Sequence, residues 1–590
     1  MRRSRPFLAM LIVLGTSSSF AQDIKRYSPK ALPEAPAIAH PQTPELPNPA
    51  NDTTPLLAES KAIVFVPNPQ AVKAAGLENV RGIVRDKLDV PAPATFDRIA
   101  GAYLGKPLSL ASVNQLSREL ILFWRAHDRP VVDVVVPEQD ITSGVLQLIV
   151  TEGRVGKVRV EGARWFAPEK LARKLRVSPG DRLLASVLNA DLDWLNTNPF
   201  RRVNLIYTPG AEVGTTDLVL KTEDRLPLRV YAGYDDSGSA PSTAEGWMRD
   251  RWQAGFNWGN AFGADQLLSY QFTTGDDFKN VLAHAANYTV PLPWRHTLNF
   301  SASRSTSETE FGGQTIRGEA WGASFRYGIP LPRTTNFTQS FALGFDFSRS
   351  NSDLDFGGLT QYNKPIELRQ FAAEYQAALQ DSFGATSFNL SGVYSPGQWG
   401  VANSDERLNS TQSNDTSTTG RSGADSNFCY GRLAMERLTR LPWNWSLATR
   451  ASAQAASGPL LMGGQMYLGG WDSVRGYEPG DAHGDQGGLV SVELHTPPVA
   501  LGRLCGWKTA QDQLEFLGFW DYGTVRTLHP LPGEDLHAER SSTGVGLRFS
   551  LAQWLSLRLD YAWQLTDPGI VKTVSSTYSS RVHVGLTVSY

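Results

Sequence analysis

The final segments of this chain alternate apolar and polar residues with a period of two. Between Leu555 and Leu565 the odd-numbered positions are apolar, while positions 556, 558, 560 and 564 are polar. The last segment repeats the pattern at Val582, Val584, Leu586, Val588 and Tyr590. Such a period gives a β-strand one face in an apolar medium and the other in a polar medium. The pattern recurs from about residue 229 onward, and no helical segment accompanies it to cover the apolar face.

A lipid bilayer can supply the apolar medium, provided that the sheet closes and leaves no unpaired edge. Residues 225–590 divide into about sixteen strands, an even number as in bacterial barrels. We therefore predict an all-β membrane fold with a sixteen-stranded transmembrane β-barrel. Short proline turns are predicted on the periplasmic side, and the longer polar connections on the outside. The turns are Pro291-Leu292-Pro293-Trp294, Pro330-Leu331-Pro332 and Leu441-Pro442-Trp443, and the long connections include 397–428 and 527–540.

The N-terminus has the pattern of an export signal followed by a linker. Arginines at positions 2, 3 and 5 precede the apolar run Phe7–Leu14, and Ser19-Phe20-Ala21 fits a cleavage site. Residues 1–21 are therefore predicted to be a signal peptide. Residues 22–58 contain eight prolines and few large apolar side chains, which predicts an extended linker. Export combined with barrel strands indicates the outer membrane of a bacterium.

Two small α+β modules are predicted before the barrel, at 59–153 and 154–224. Each is expected to run strand–helix–helix–strand–strand, which makes them a diverged internal repeat. The strands of the first are predicted at Ala62–Val66, Val131–Val136 and Val145–Val150, and its helices at Phe96–Leu104 and Val113–Ala126. Those of the second are predicted at Lys157–Glu161, Val203–Tyr207 and Asp217–Lys221, with helices at Pro168–Leu175 and Leu184–Leu195.

Two motifs in the barrel region carry a resemblance to a known family. Val474-Arg475-Gly476-Tyr477 lies in a long connection over about 458–487, and Phe519-Trp520-Asp521-Tyr522-Gly523 lies in the thirteenth predicted strand. With the two modules, these motifs resemble the outer-membrane transporters of two-partner secretion, of haemolysin activation/secretion type, whose periplasmic modules are called POTRA. The resemblance covers residues 59–590. It implies a pore that exports a haemolysin or filamentous adhesin captured by the POTRA modules.

The resemblance also implies a lock between a loop and the barrel wall. In the family the sixth surface loop folds into the lumen, where its arginine pairs with the strand aspartate; here these residues are Arg475 and Asp521. The residues support this independently, because the apolar positions of strand 514–522 are mainly even and Asp521 should face the lumen. A guanidinium is the best fork-shaped partner for a carboxylate. In a water-filled lumen the pair should be partly screened and worth on the order of 1 kcal/mol.

Three shorter features are interpreted in the same way. Asp235-Asp236-Ser237-Gly238 resembles the family's start-of-barrel segment, and Glu152-Gly153-Arg154-Val155 resembles its junction between modules. The C-terminal Tyr590 is predicted to act as a signal for barrel assembly. A plug helix, which the family often has, is not readable in Gln22–Tyr27 before the prolines begin.

Other classes of function find less support in the sequence. It contains no phosphate-binding Gly-x-x-x-x-Gly-Lys loop and no metal-spaced His/Cys cluster, so we predict no enzyme activity, cofactor or metal. The formal charge of −2 gives no reason to expect nucleic-acid binding. Expected partners are the secreted polypeptide, the barrel assembly machinery and outer-membrane lipid, around a monomeric protein. Alternatives are an insertase for other barrels, a surface barrel enzyme and a passive porin.

Overall fold

The computed structural model of this 590-residue chain consists of two compact units. The first lies within residues 35–226, and the second is formed by residues 227–590 together with residues 28–30. The structure describes residues 28–30, 45–46, 52–237, 250–311, 314–334, 336–356, 359–361, 365–409, 421–504, 506, 511–530, 535–566 and 579–590. The predicted signal peptide lies outside the described residues.

The first module is a four-stranded sheet with two helices. Its sheet has the order β3-β2-β6-β5, and a separate two-stranded ladder joins β1 to β4. The elements are β1 (Pro55–Leu57), β2 (Ala62–Val66), β3 (Gly82–Arg85), α1 (Pro93–Gly101), β4 (Leu108–Ser109), α2 (Leu110–Ala126), β5 (Val132–Val135) and β6 (Val145–Glu152). Two features differ from expectation: β3 lies between β2 and α1, and residues 55–57, assigned to the linker, form a strand.

Helix α2 supplies much of the apolar core of this module. It begins with a capping box, in which the side chains of Ser109 and Ser112 each accept from the other's backbone N–H. Its buried face carries Val113, Leu116, Leu120 and Phe123, the helical spacing that the sequence shows. Phe96 of α1 meets Trp124 edge to face with ring centroids 5.2 Å apart, which fixes the two helices over the sheet.

The second module is a three-stranded sheet of order β7-β9-β8 with two helices. Its elements are β7 (Arg154–Glu161), α3 (Pro168–Ala172), α4 (Ala185–Leu195), β8 (Arg201–Pro209) and β9 (Thr215–Asp224). Gly153 joins β6 directly to β7, where a Cβ atom would come within 2.9 Å of both Thr216 and Val131. Asp128 of the first module caps α4 by accepting from Ser186 N and Oγ at 2.6 Å. The two modules therefore meet through a tight turn and a shared helix cap.

The second unit confirms the predicted barrel: among the described residues, sixteen antiparallel wall strands close into a ring. They are β10 (Leu228–Asp235), β11 (Arg251–Ala261), β12 (Gln266–Gly275), β13 (Val281–Pro291), β14 (Thr297–Phe311), β15 (Gln314–Pro330), β16 (Phe337–Phe356), β18 (Ile366–Asp381), β19 (Gly384–Pro396), β20 (Asn427–Arg440), β21 (Ser446–Ala456), β24 (Gln486–His495), β25 (Asp512–Arg526), β26 (His537–Leu551), β27 (Leu555–Gln564) and β28 (Ser580–Ser589). The connections contain β17 (Leu359–Gln361), α5 (Asp405–Leu408), β22 (Met466–Leu468), β23 (Ala482–Gly484) and α6 (Leu501–Leu504).

The two faces of the wall have the polarity that the alternation predicts. On β27 the outward Leu559, Tyr561 and Trp563 are exposed, whereas the inward Asp560 and Ala562 are fully buried. The first and last strands close the ring over five residue pairs, from Tyr231↔Ser589 to Asp235↔Gly585. The three proline turns connect β13 to β14, β15 to β16 and β20 to β21, so all lie at one end of the barrel. The connections 397–426 and 527–536 lie at the opposite end.

The two cysteines of the chain are expected not to pair. Cys429 is exposed at the start of β20, at the end of the barrel where the long connections lie. Cys505 belongs by sequence to the β24–β25 connection at the opposite end and lies outside the described residues. An apolar band of about 25 Å separates the two ends, while bridged Cα atoms lie within about 7 Å. Peptide mapping without reductant should recover both cysteines unlinked; a disulfide-linked peptide would contradict the strand count.

Candidate functional site

The site is built around one loop that turns back into the barrel. Residues 457–485 connect β21 to β24, and their base is a small ladder in which Met466–Leu468 pairs with Ala482–Gly484. Val474-Arg475-Gly476-Tyr477 lies at the centre of this loop. Val474, Arg475 and Tyr477 are each 2% exposed or less, because they pack against the inner faces of the wall strands. A surface loop buried to this extent occupies the lumen.

The structure brings Arg475 and Asp521 together as a bidentate pair. Arg475 donates from Nε to Asp521 Oδ2 at 2.7 Å and from Nη2 to Oδ1 at 2.8 Å. The backbone N–H of Arg475 also donates to the same carboxylate at 3.2 Å. Ser491 Oγ on β24 donates to Asp521 Oδ1 at 2.7 Å. Both the side chain and the backbone of Arg475 are therefore fixed by one wall residue.

Two further carboxylates, neither of them predicted from the sequence, meet the same guanidinium. Arg475 Nη1 lies 2.7 Å from Glu493 Oε1 on β24 and 3.7 Å from Asp560 Oδ2 on β27. Asp560 also accepts from Arg548 at 2.6 Å and from Arg558 at 2.8 Å. The signal available in the sequence is their strand parity, since both residues occupy inward positions beside apolar outward ones.

The pair is more deeply buried than expected. The side chains of Arg475 and Asp521 are 2% and 0% exposed, so the expectation of a partly screened pair in a water-filled lumen is wrong for this conformation. The guanidinium lies 3.5 Å above the centroid of the Phe519 ring, which closes one face to water. Removing one partner of a buried pair costs about 3–5 kcal/mol when the remaining charge stays buried. This free-energy cost falls only if the loop moves and water reaches the remaining charge.

The remaining motif residues allow the loop to approach the wall closely. A Cβ atom on Gly523 would lie 2.5 Å from Leu468 and 3.1 Å from Val474, so only glycine leaves room there. Gly476 has φ +94°, a backbone conformation that favours glycine. The Tyr477 hydroxyl lies within hydrogen-bond distance of two carbonyl oxygens that can accept its proton, Ser541 O on β26 at 2.8 Å and Thr566 O at 2.7 Å. Val474 and Tyr477 pack in one apolar cluster with Leu468 and Val525.

A second ion pair joins three surface loops at the outer mouth. Asp485, which is fully buried, accepts from both Nη atoms of Arg421, from Leu460 N at 2.8 Å and from Leu528 N at 2.7 Å. Arg421 donates in turn to Leu460 O and Leu528 O. Burial opposes ionisation of this carboxyl, but the Arg421 guanidinium and the N–H donors hold the pKa of Asp485 below its ordinary value. The carboxylate is therefore charged at neutral pH.

Asp485→Asn should loosen this outer closure without preventing barrel assembly. The amide keeps the shape of the carboxylate but loses the charge that Arg421 and two backbone N–H groups share; hydrogen bonds to charged groups are worth about 1.5–3 kcal/mol. We expect cells to become more sensitive to a large antibiotic such as vancomycin. Asp472→Asn is the matched control, because its side chain is 77% exposed in the same loop. Equal sensitivity of the two variants would contradict a closure role.

The short N-terminal segment 28–30 lies against the inner wall. Lys30 N donates to Tyr231 Oη at 2.9 Å and to Gln271 Oε1 at 3.1 Å. Its ammonium donates to Thr587 Oγ1 at 2.7 Å, and Asn257 Nδ2 donates to Lys30 O at 3.3 Å. These wall residues belong to β10, β11, β12 and β28. The segment therefore shares the barrel interior with the loop, on the side where the first and last strands meet.

The start-of-barrel segment lies at that same junction. Asp235 accepts from Arg251 Nε at 2.9 Å and from Gln253 Nε2 at 3.0 Å. Asp236 accepts from Val584 N at 3.0 Å and donates its own N–H to Val584 O at 3.2 Å. At the other end of the junction, Tyr590 and Val230 exchange backbone hydrogen bonds of 2.9 and 3.2 Å. The Tyr590 side chain is exposed and its ring meets that of Trp554.

A closed sixteen-strand barrel, small N-terminal α+β modules and a loop arginine paired with a wall aspartate define an outer-membrane transporter of the POTRA–barrel class. The chain belongs to the haemolysin secretion/activation protein family ShlB/FhaC/HecB, which matches residues 214–549, more than half of its length. Residues 79–153 match the POTRA domain of ShlB type. It is therefore a two-partner secretion transporter of the outer membrane, which exports a partner polypeptide to the cell surface.

Individual relatives are distant. The chain is 23% identical over 428 residues to the heme/hemopexin transporter protein HuxB of Haemophilus influenzae, and the match covers 71% of each chain. It is 27% identical over 263 residues to the outer membrane transporter CdiB-2 of Burkholderia pseudomallei, covering 41% of this chain and 44% of the relative. The solved structure of CdiB from Escherichia coli superposes with a TM-score of 0.67 at 16% identity, covering 93% of this chain and 94% of CdiB.

Within the described part of the chain, no α-helix combines the length and apolarity needed to cross a membrane. Across the same residues, no group of three or more His, Cys, Asp and Glu side chains is arranged to hold a metal ion.

Proposed function

We propose that the periplasmic modules capture the partner polypeptide in extended form and that the Arg475–Asp521 pair locks the loop in the closed pore. The observation that carries the lock is the bidentate contact of Arg475 with Asp521, made by a buried loop across the lumen. Because that loop fills space through which a client must pass, transport requires the lock to open. Client folding outside the cell would supply the driving force.

The free edge of β5 supports capture by strand addition. Among the described residues β5 pairs only with β6, and Gly153 N donates to Val131 O at 3.0 Å. By antiparallel alternation, the backbone N–H and C=O of Val132 and Val134 then point toward the free edge. Val135 on the same strand is exposed, as is Leu122 on the neighbouring helix α2. An extended client could gain main-chain hydrogen bonds there and place apolar side chains beside the helix.

A photo-crosslinking residue in place of Asp133 tests this capture. Asp133 is exposed on β5, so a crosslinker there should trap the partner polypeptide during secretion. The control is the same crosslinker at Lys87, an exposed residue that follows β3 at the opposite edge of the sheet. Equal trapping at both positions, or trapping at Lys87 alone, would refute capture at the β5 edge.

The exposed C-terminal Tyr590 would be recognised by the barrel assembly machinery. The exposed apolar side chains of the wall would contact outer-membrane lipid, and the protein would be a monomer. We also propose that transport uses no cofactor, metal or catalytic residue of this chain, which agrees with a family of transporters.

A further inference from the structure

We propose that His583 on β28 and Gln564 on β27 are positioning residues, which grip the peptide of Gly476 and so set the approach of Arg475 to Asp521. This inference rests on the loop lock proposed above. Neither residue belongs to the two motifs that the sequence shows. Both lie on inward positions of the last two wall strands, and β27 also carries Asp560, which lies 3.7 Å from the same guanidinium.

Both backbone polar groups of Gly476, its N–H and its C=O, are hydrogen-bonded to wall side chains. Gly476 N donates to His583 Nε2 at 3.2 Å, and Gln564 Nε2 donates to Gly476 O at 2.7 Å. Between these contacts, a Cβ atom on Gly476 would lie 3.2 Å from Ala562 Cβ. The glycine is therefore held in its left-handed conformation by one acceptor, one donor and a close wall. Gly476 directly follows Arg475, so its peptide fixes the direction from which the guanidinium enters.

The contact with Gly476 defines the state of the imidazole. Because Nε2 accepts an N–H, the ring is neutral and carries its proton on Nδ1. Nδ1 lies 3.8 Å from Asp236 Oδ2, beyond hydrogen-bond distance, and the His583 side chain is 1% exposed. The requirement at position 583 is thus for a buried acceptor, which a cation or an alkyl side chain does not supply.

The grip also has neighbours that hold the same loop by charge. Arg581, two residues before His583 on β28, pairs with Glu478 of the loop. On β26, Arg540 pairs with Asp481 at 2.5 Å. These pairs fasten the loop C-terminal to the motif, whereas His583 and Gln564 act on the residue next to Arg475. Loss of the grip should therefore displace the arginine while the rest of the loop keeps its anchors.

The test compares His583→Gln, His583→Leu and His583→Lys in the full-length protein. The glutamine oxygen can accept the Gly476 N–H, leucine cannot, and lysine can only donate. A buried donor left unpaired shifts the equilibrium between closed and open loop by about 5- to 150-fold. We expect altered single-channel conductance and reduced secretion for the leucine and lysine variants. The glutamine variant should restore both, and Gln564→Leu should resemble His583→Leu.

The controls separate positioning from folding and from the lock itself. His284→Leu removes an outward histidine on β13 far along the wall from the loop and should leave conductance unchanged. Heat-modifiable gel mobility should show folded barrels for all variants. If Arg475→Ala changes conductance and His583→Leu does not, the lock stands and the positioning role falls. If neither changes conductance, both fall. A glutamine variant as defective as leucine would also overturn the role of the acceptor.

Discussion

Deleting the first periplasmic module should abolish secretion of the partner polypeptide while the barrel still assembles. The module has its own sheet and its own apolar core, and the barrel wall closes entirely within residues 227–590. Capture and pore formation thus use separate parts of the chain. The deletion should span 52–153, since Pro55–Leu57 pairs with Leu108–Ser109 and would otherwise be left as an unpaired strand.

The measurement for this deletion is the partner polypeptide in medium and cell fractions, at matched amounts of heat-modifiable barrel. The deletion also removes Asp128, whose carboxylate caps α4 of the second module; such a cap is worth about 1 kcal/mol. Asp128→Ala in the intact chain is therefore the control for indirect damage to that module. Secretion at the wild-type level without 52–153 would refute the capture role.

Arg475→Ala should release the loop, change channel conductance and strongly reduce secretion. The guanidinium faces Asp521 and Glu493 within 2.7 Å and Asp560 at 3.7 Å, so its loss leaves three carboxylates close together. Repulsion among them favours entry of water and departure of the loop. Asp521→Ala should be milder, because Arg475 keeps Glu493 as a partner. Arg475→Lys should rescue only in part, since an ammonium lacks the planar fork.

A double-mutant cycle on secretion yield and conductance tests whether the two residues act as a unit. Coupled residues show interaction energies of about 0.5–3 kcal/mol, so Arg475→Ala with Asp521→Ala should be no worse than Arg475→Ala alone. Barrel melting, followed by heat-modifiable mobility, should change little, because the backbone hydrogen bonds between neighbouring wall strands do not involve the loop. Fully additive defects would show that the residues work separately and would remove the lock mechanism.

The barrel and the inward direction of Asp521 could be predicted because both depend on local alternation. Apolar Phe516 and Trp520 face outward, so Asp521, which directly follows Trp520, has to face inward. The contacts of Glu493 and Asp560 with Arg475 could not be predicted in the same way. Their parity shows that they face the lumen. Which loop residue reaches them depends on the whole path of the loop, and local alternation does not give that path.

The missing elements of the first module have a similar explanation. Strand β3 is four residues long and pairs with β2 in parallel across the connection 67–81, so neither its length nor a local partner indicates it. Residues 55–57 are a strand only because Leu108–Ser109 lies beside them. Burial of the Arg475–Asp521 pair was underestimated because the sequence does not reveal that Phe519 covers the guanidinium. Contacts between distant segments decide each of these features.

The Asp485 carboxylate has a consequence for how the outer mouth can open. Arg421, Leu460 and Leu528 come from three different loops, and all of them end on this one buried charge. When any one loop withdraws, the others lose part of their shared partner. A partly open mouth is therefore disfavoured relative to the fully closed and the fully open states. Such cooperativity would let the cell keep a wide pore in its permeability barrier without a graded leak, because thermal motion of a single loop does not create a passage.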